Sequence, residues 1–202
     1  MSYDTNSLRP ISDPEEVAKV NKNLSRVVRR ATERQRLINI SLIKREGWVS
    51  VPVQRYSHII CMEQEQLQRT FIARRYRKLL AVALDPMGMR PSVYVVPATT
   101  KSIEALNREW FSFNCTLFAG QPDWVIISTD SEFDVVAGPA DFVRQLLDCE
   151  IEEAFLRFQT FVTNYPMEEQ MRKHLYFVYD LLRYNYPSAE VGFEFHLINP
   201  PI

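Results

Sequence analysis

The chain has 202 residues, of which 46% are hydrophobic and 24% charged, a balance that is typical of globular proteins and excludes long disordered stretches. Five glycines leave little material for phosphate-binding loops, and three widely spaced cysteines exclude a disulfide framework and favour a reducing, cytoplasmic location. The net charge is −1, but residues 1–90 carry 17 Lys and Arg against 9 Asp and Glu, whereas residues 91–202 carry 7 against 16.

The chain is predicted to open with a polar lead, residues 1–11, which lacks the pattern of a signal peptide. Asp13 and Pro14 then predict a helix start, because Asp suits the N-cap and proline the first helical position. The helix is predicted to run to about residue 35, since apolar residues recur at alternating spacings of three and four. These residues are Val17, Val20, Leu24, Val27 and Ala31.

A hairpin is predicted after this helix. Residues 37–43 and 48–54 alternate apolar and polar side chains on either side of a loop at 44–47. Pro52 has no N–H to donate to a neighbouring strand, so the second strand is expected at a sheet edge or a bulge.

The next stretch alternates helix and strand patterns. A helix is predicted over 62–76, a buried strand over 79–84, and a returning strand over 92–96 after a turn. Thr100 can cap a helix that runs to about residue 114. The apolar run 79–84 is far shorter than the roughly 20 residues needed to cross a membrane as a helix, and no membrane span is expected.

The clearest pattern in the chain is a second hairpin followed by a helix. Apolar runs at 124–127 and 133–137 flank a polar turn. Gly138 is predicted as the N-cap of the helix, with Pro139 at the first helical position. Asp141 then lies in the first turn, where a negative charge suits the helix dipole.

Two helices and a strand are predicted to complete the chain. A helix over 150–164 ends before Pro166, a last helix covers 167–185, and the alternation over 191–198 predicts a final strand. We therefore expect a single α+β domain over residues 12–202. Its sheet should be mixed but mostly antiparallel, built from hairpins and packed by about five or six helices.

The leading functional hypothesis is a non-catalytic interaction or regulatory protein that binds another protein or a second copy of itself. Opposite charges on the two halves can pair within one molecule or between molecules. The last helix carries aromatic residues on more than one face, which is typical of a helix between layers or at an interface. The predicted interface residues are Tyr176, Tyr179 and Tyr184.

The first alternative is a nucleic-acid-binding protein. Basic residues cluster on the predicted first helix and again at the end of the helix over 62–76. Arginine grips a phosphate in two places, and the release of counterions from the nucleic acid favours binding. The candidate residues are Arg26, Arg29, Arg30, Arg34, Arg74, Arg75, Arg77 and Lys78.

The second alternative is a small hydrolase-like enzyme, for which the sequence assigns no catalytic residue. Glu194 and His196 point to the same side of a predicted strand and would suit catalysis beside a Ser or Cys, although an exposed strand face explains them equally well. His58 and Cys61 stand three apart, but a structural zinc site needs four ligands and the other Cys and His residues are scattered.

Other chemical signatures are absent or have ordinary explanations. Four acids gather at the second hairpin, but they do not follow the calcium-loop spacing, and we interpret them as turn residues. They are Asp123, Asp130, Glu132 and Asp134. No Walker loop, dinucleotide fingerprint, G-x-S-x-G elbow or H-E-x-x-H motif is present, so neither a cofactor nor a metal is expected.

Overall fold

The structure is a computed structural model that describes residues 8–30, 36–55, 64–84, 92–109, 114–129 and 133–184. Within these ranges the chain forms seven helices, a seven-stranded antiparallel sheet and a separate two-stranded ribbon. The predicted α+β class is therefore confirmed, with one helix more than expected.

The elements follow one another in the order β1 (Arg9–Pro10), α1 (Pro14–Val27), β2 (Val28–Arg30), β3 (Arg36–Ile38), α2 (Ile40–Glu46), β4 (Val49–Gln54), α3 (Gln64–Ala73), β5 (Lys78–Ala83), β6 (Val93–Pro97), α4 (Thr100–Glu109), β7 (Cys115–Phe118), β8 (Val125–Ser128), β9 (Phe133–Gly138), α5 (Ala140–Leu147), α6 (Ile151–Asn164) and α7 (Glu169–Tyr184). The large sheet has the strand order β1-β6-β5-β7-β8-β9-β4. The ribbon of β2 and β3 packs against β8 and β9.

The core lies on both faces of the central strands, because every residue of β7, β8 and β9 is buried. The Phe133 ring lies 6.1 Å from the ring of Phe158 in α6 and 6.2 Å from that of His174 in α7. These contacts place α6 and α7 over the face of the sheet that carries Phe133.

Trp124 connects two more helices to the sheet. Its indole stacks on Phe71 of α3, with ring centroids 5.4 Å apart, and on Phe142 of α5 at 4.9 Å. Gly138 faces the same side chain, and a Cβ atom there would lie 2.9 Å from the Trp124 Cβ. Only a residue without a side chain lets the two strands approach this closely.

The first helix is shorter than predicted. Val20, Leu24 and Val27 are buried, as the spacing indicated, but α1 ends at Val27 and not near residue 35. The chain continues as strand β2, so Arg29 and Arg30 lie on the ribbon. Residues 31–35, and Arg34 with them, lie outside the described part of the chain.

The end of helix α1 is capped by Asn39, which lies twelve residues after the last helical residue, Val27. Its backbone N–H donates to the carbonyl oxygen of Val27 (2.7 Å), and its side-chain Nδ2 donates to that of Arg26 (2.9 Å). Both carbonyls belong to the last turn, where no partner exists within the helix. The Asn39 Oδ1 also accepts from the backbone N–H of Ser41, which caps the start of α2.

The prediction of a first hairpin is wrong for its first strand and correct for its second. Residues 40–46 form helix α2 and not a strand, because Asn39 caps its start and Gly47, at φ 63°, provides the left-handed residue that closes its end. The second strand is confirmed as β4. It is an edge strand, paired only with β9 among the described strands, as Pro52 indicated.

The remaining elements lie close to their predicted positions. The second hairpin is confirmed as β8 and β9, and its helix begins one residue late, with Pro139 at the N-cap. Strand β7 was not predicted, and β1 lies in the predicted polar lead, where Ile11 is buried. The predicted strand over 191–198 lies outside the described residues.

We expect Gly138→Ala to lower the free energy of unfolding by about 1–3 kcal/mol, because the new Cβ forces the Trp124 stack to shift. Urea unfolding followed by tryptophan fluorescence measures the change. Gly47→Asn is the control: nothing lies within 4 Å of a Cβ there, and Asn tolerates the left-handed conformation. Equal stability of the two variants would contradict the argument.

Candidate binding groove

A groove of about 950 Å³ lies between β4, α3, the end of α5 and α6. Its lining is largely apolar, with polar and charged side chains between the apolar ones. The apolar lining residues are Pro52, Val53, Leu146, Leu147, Ala154, Leu156, Phe158, Phe161, Tyr165 and Pro166.

A sharp connection between α5 and α6 creates one end of the groove. Asp148 adopts the left-handed conformation at φ 51°, which Asp tolerates better than most residues, and ends α5. Glu150 is the N-cap of α6, and its carboxylate accepts a 2.8 Å hydrogen bond from Arg144 Nε. The chain therefore turns within three residues, and α6 packs along β4.

The groove has a buried floor and an exposed apolar wall. Leu146 and Phe158 are buried, whereas Leu156 is 60% and Tyr165 45% exposed. Leu156 lies off the buried stripe of α6, where a large aliphatic side chain gains nothing from the protein's own core. An exposed apolar wall beside an apolar floor is typical of a binding surface.

Charges in the groove are only partly paired within the molecule. Arg157 Nη2 lies 2.5 Å from Glu153 Oε1, one helical turn away on α6. Arg69 is exposed on α3 and has no ion pair among the described residues. Gln66, one turn earlier, donates a 2.6 Å hydrogen bond to the Gln145 carbonyl, which fixes α3 against α5.

Cys149 contributes a half-buried thiol to the lining. Burial raises its pKa, and Glu153 and Asp148 raise it further, while Arg157 opposes them. The thiolate, which is the nucleophilic form, is therefore disfavoured.

The predicted basic residues fall into two separate places. Arg26 lies on α1 and Arg29 on β2, and both are exposed. The hypothesis of one continuous basic helix is therefore wrong, because the chain leaves the helix between them. Arg30 lies at the end of β2.

In the second basic group, at the end of α3, one arginine is paired inside the molecule and three cations are exposed. The sequence does not reveal this difference. Arg74 donates 2.8 Å hydrogen bonds to Asp141 Oδ2 and to Gln145 Oε1, and its guanidinium lies 6.0 Å from the Phe142 ring centroid. It therefore connects α3 to α5. The neighbouring Arg75, Arg77 and Lys78 are exposed.

Tyr176 and Tyr179, both predicted as interface residues, make contacts inside the molecule. The Tyr176 hydroxyl lies 2.9 Å from Thr163 Oγ1, and the Tyr179 ring packs edge-on against Phe155 at 5.8 Å. Tyr184 is 71% exposed, and Phe177, which was not predicted, is 55% exposed. Phe177 and Tyr184 are seven residues apart in the sequence, so they lie two turns apart on the same side of α7.

The four acids of the second hairpin do not form a common site in the described residues. Asp134 is 1% exposed and accepts a 2.7 Å hydrogen bond from Ser128 Oγ, so its interpretation as a turn residue is wrong. It pairs across the strands with Ser128, which in turn pairs with Cys115. Asp123 is exposed. Asp130 and Glu132 lie outside the described ranges.

The other predicted residues are not placed by the structure. His58, Cys61, Glu194 and His196 all lie outside the described part of the chain. Inside it, no three His, Cys, Asp or Glu side chains are grouped as a metal ion would require. None of the described helices combines the length and the apolar character that a membrane span needs.

Comparisons with protein-family models, with curated proteins and with solved structures found no match to this chain. The groove and the exposed basic residues therefore carry the functional argument.

We expect Arg74→Ala to destabilise the protein and to raise the pKa of Asp141, because the hydrogen bond from Arg74 holds that pKa below its ordinary value. The ion pair reaches solvent and contributes about 0.2–1 kcal/mol. A lowered folded-state pKa stabilises the protein above the ordinary carboxyl pKa. The part of the stability difference that comes from the ion pair should therefore vanish as the pH falls through the folded-state pKa, while the part that comes from the Gln145 contact remains.

An NMR titration of the Asp141 carboxyl carbon and urea unfolding at two pH values test this expectation. Arg157→Ala is the control, since it removes an exposed pair within a single helix. An unchanged Asp141 titration in Arg74→Ala would show that the contact does not persist in solution.

Proposed function

We propose that the protein is a non-catalytic binding protein whose groove takes an apolar segment of a partner polypeptide. The observation that carries this proposal is the exposure of Leu156 and Tyr165 beside the buried apolar floor. The free thiols of Cys115 and Cys149 fit a reducing compartment such as the cytoplasm.

The dimensions of the groove suit a short peptide segment. Its α6 wall runs from Glu153 to Asn164, which is about 16 Å at 1.5 Å per residue. About five residues of extended chain, or three turns of a helix, cover that length. Because this wall is exposed along its length, the groove can accept a segment that continues beyond both ends.

The partner segment is expected to bind through its side chains. Pro52 lies in the middle of β4 and has no N–H, so the edge strand cannot offer a continuous ladder to an added strand. Apolar side chains of the partner would instead pack between α3 and α6, against the exposed Leu156 and Tyr165. This arrangement favours a sequence with apolar residues at regular spacing.

Charge complementarity adds a requirement on the partner. Arg69 has no ion pair among the described residues, while Arg157 is already paired with Glu153. A carboxylate on the partner segment would complete the pairing of Arg69 at the edge of an apolar contact, where water is partly excluded. We therefore expect an apolar segment that carries at least one Asp or Glu.

Selection of a random dodecapeptide library on the wild-type protein should yield such peptides, and Leu156→Glu should bind them at least about tenfold more weakly, a loss of about 1.4 kcal/mol. The new carboxylate would be desolvated against an apolar ligand. Fluorescence polarisation measures the affinities. Phe177→Glu is the matched control, because it places the same charge on an exposed aromatic outside the groove.

Labelling of Cys149 gives an independent readout. In a Cys61→Ser background, a bound peptide should slow the reaction of Cys149 with a maleimide, while Cys115 is buried in the sheet. Peptides that bind Leu156→Glu and wild type equally, or that leave the labelling rate unchanged, would refute the groove as their site. Dimerisation abolished by Leu156→Glu would replace the partner with a second copy of the chain.

A further inference from the structure

We infer that a second surface, the basic turn formed by Arg75, Arg77 and Lys78, binds the phosphate backbone of a nucleic acid. The turn joins α3 to β5 and lies apart from the lining of the groove. The inference does not depend on the proposed peptide binding, since it rests on different residues.

The conformation of Arg75 is the first observation. The Tyr76 N–H donates to the Phe71 carbonyl oxygen (2.9 Å), five residues back, and this closure forces Arg75 into the left-handed region at φ 60°. Glycine usually occupies that position at the end of a helix. Arg75 has no intramolecular ion pair among the described residues to compensate, which points to a use for its side chain outside the molecule.

The neighbouring backbone brings a fourth cation to the same place. The Ala98 N–H donates to the Arg77 carbonyl oxygen (3.1 Å), and Lys78 pairs with Pro97 across β5 and β6. Helix α4 begins directly after this contact, so Lys101 in its first turn lies beside the basic turn. Arg75, Arg77, Lys78 and Lys101 are all exposed.

Few acids face this surface. One of them, Asp141, is paired with Arg74. Burial raises the pKa of Tyr76, and Asp123 and Asp141 raise it further, so these two carboxylates act on this turn. The ion pair of Arg74 with Asp141 joins the basic N-terminal half to the acidic C-terminal half. Arg75, Arg77 and Lys78 form no ion pair with the acidic half among the described residues.

The chemistry of the surface favours a nucleic acid over a lipid surface. Cations spread over a turn and the start of a helix suit successive phosphates, which Arg binds in two places and Lys as a point charge. Anchoring in lipid needs an apolar face. Ile72 is the one large apolar residue exposed on the described part of α3, and this is too little for such a face.

The test is the fluorescence anisotropy of a labelled 20-nucleotide RNA and a 20-base-pair DNA across a salt series. The wild type should bind with a dissociation constant of about 1–100 μM near physiological salt. The triple variant Arg75→Gly, Arg77→Ser and Lys78→Ser should bind at least tenfold more weakly at low salt. On duplex DNA the slope of log K against log salt should become shallower by about two to three.

Arg75→Gly relieves backbone strain, so the triple variant should fold, and thermal unfolding followed by circular dichroism checks this. The control Lys19→Ser, Lys22→Ser and Lys44→Ser removes the same charge from other exposed positions and should bind nearly as the wild type does. Leu156→Glu should also retain nucleic-acid binding, which separates a failure here from a failure of the groove.

Three outcomes would overturn the inference. The first is no binding of the wild type at low salt. The second is an equal loss in the triple variant and the charge-matched control, or a loss confined to Arg26→Ala with Arg29→Ala. The third is binding to vesicles of phosphatidylserine and phosphatidylcholine without binding to nucleic acid.

Discussion

Trp124 stacks between Phe71 of α3 and Phe142 of α5, and both proposed surfaces depend on this contact. Helix α3 carries Arg69 into the groove and ends in the basic turn, while α5 ends at the groove floor with Leu146. Aromatic stacks of this kind contribute about 0.5–1.5 kcal/mol beyond the area they bury. The close approach of Gly138 to Trp124 fixes the stack on the sheet, so one strand pair determines where two helices lie.

The sequence predicted the elements whose signals are local. The second hairpin, α6 and the edge position of β4 follow from alternation, helical spacing and a single proline, and each signal lies within the element itself. The end of α1 depends instead on Asn39, which lies in another part of the chain and whose backbone N–H and side-chain Nδ2 donate hydrogen bonds to carbonyl oxygens of the last turn. Without that contact, the apolar spacing through Ala31 continues to indicate helix.

The groove could not be predicted as a whole, because its lining comes from four elements between residues 52 and 166. One part of it was visible in the sequence. Leu156 falls off the stripe of Ala154, Phe155 and Phe158, so the helical spacing alone predicts that it is exposed. The next residue, Arg157, is paired with Glu153 within α6. A search of the sequence for charged residues alone would therefore have selected Arg157 and missed Leu156.

Two residues of the same type that are adjacent in the sequence can have different roles in the folded protein. Arg74 and Arg75 are adjacent, yet Arg74 bridges to Asp141 and Gln145, whereas Arg75 lies in a left-handed turn and points its charge to solvent. The charge difference between the two halves of the chain suggested mutual neutralisation. In the described residues, however, the acidic half forms most of its ion pairs with its own residues, through contacts such as Arg157 with Glu153. Because the acids of the C-terminal half pair with cations of that half, the cations of the basic turn stay exposed to solvent. They give the surface of the turn a positive electrostatic field.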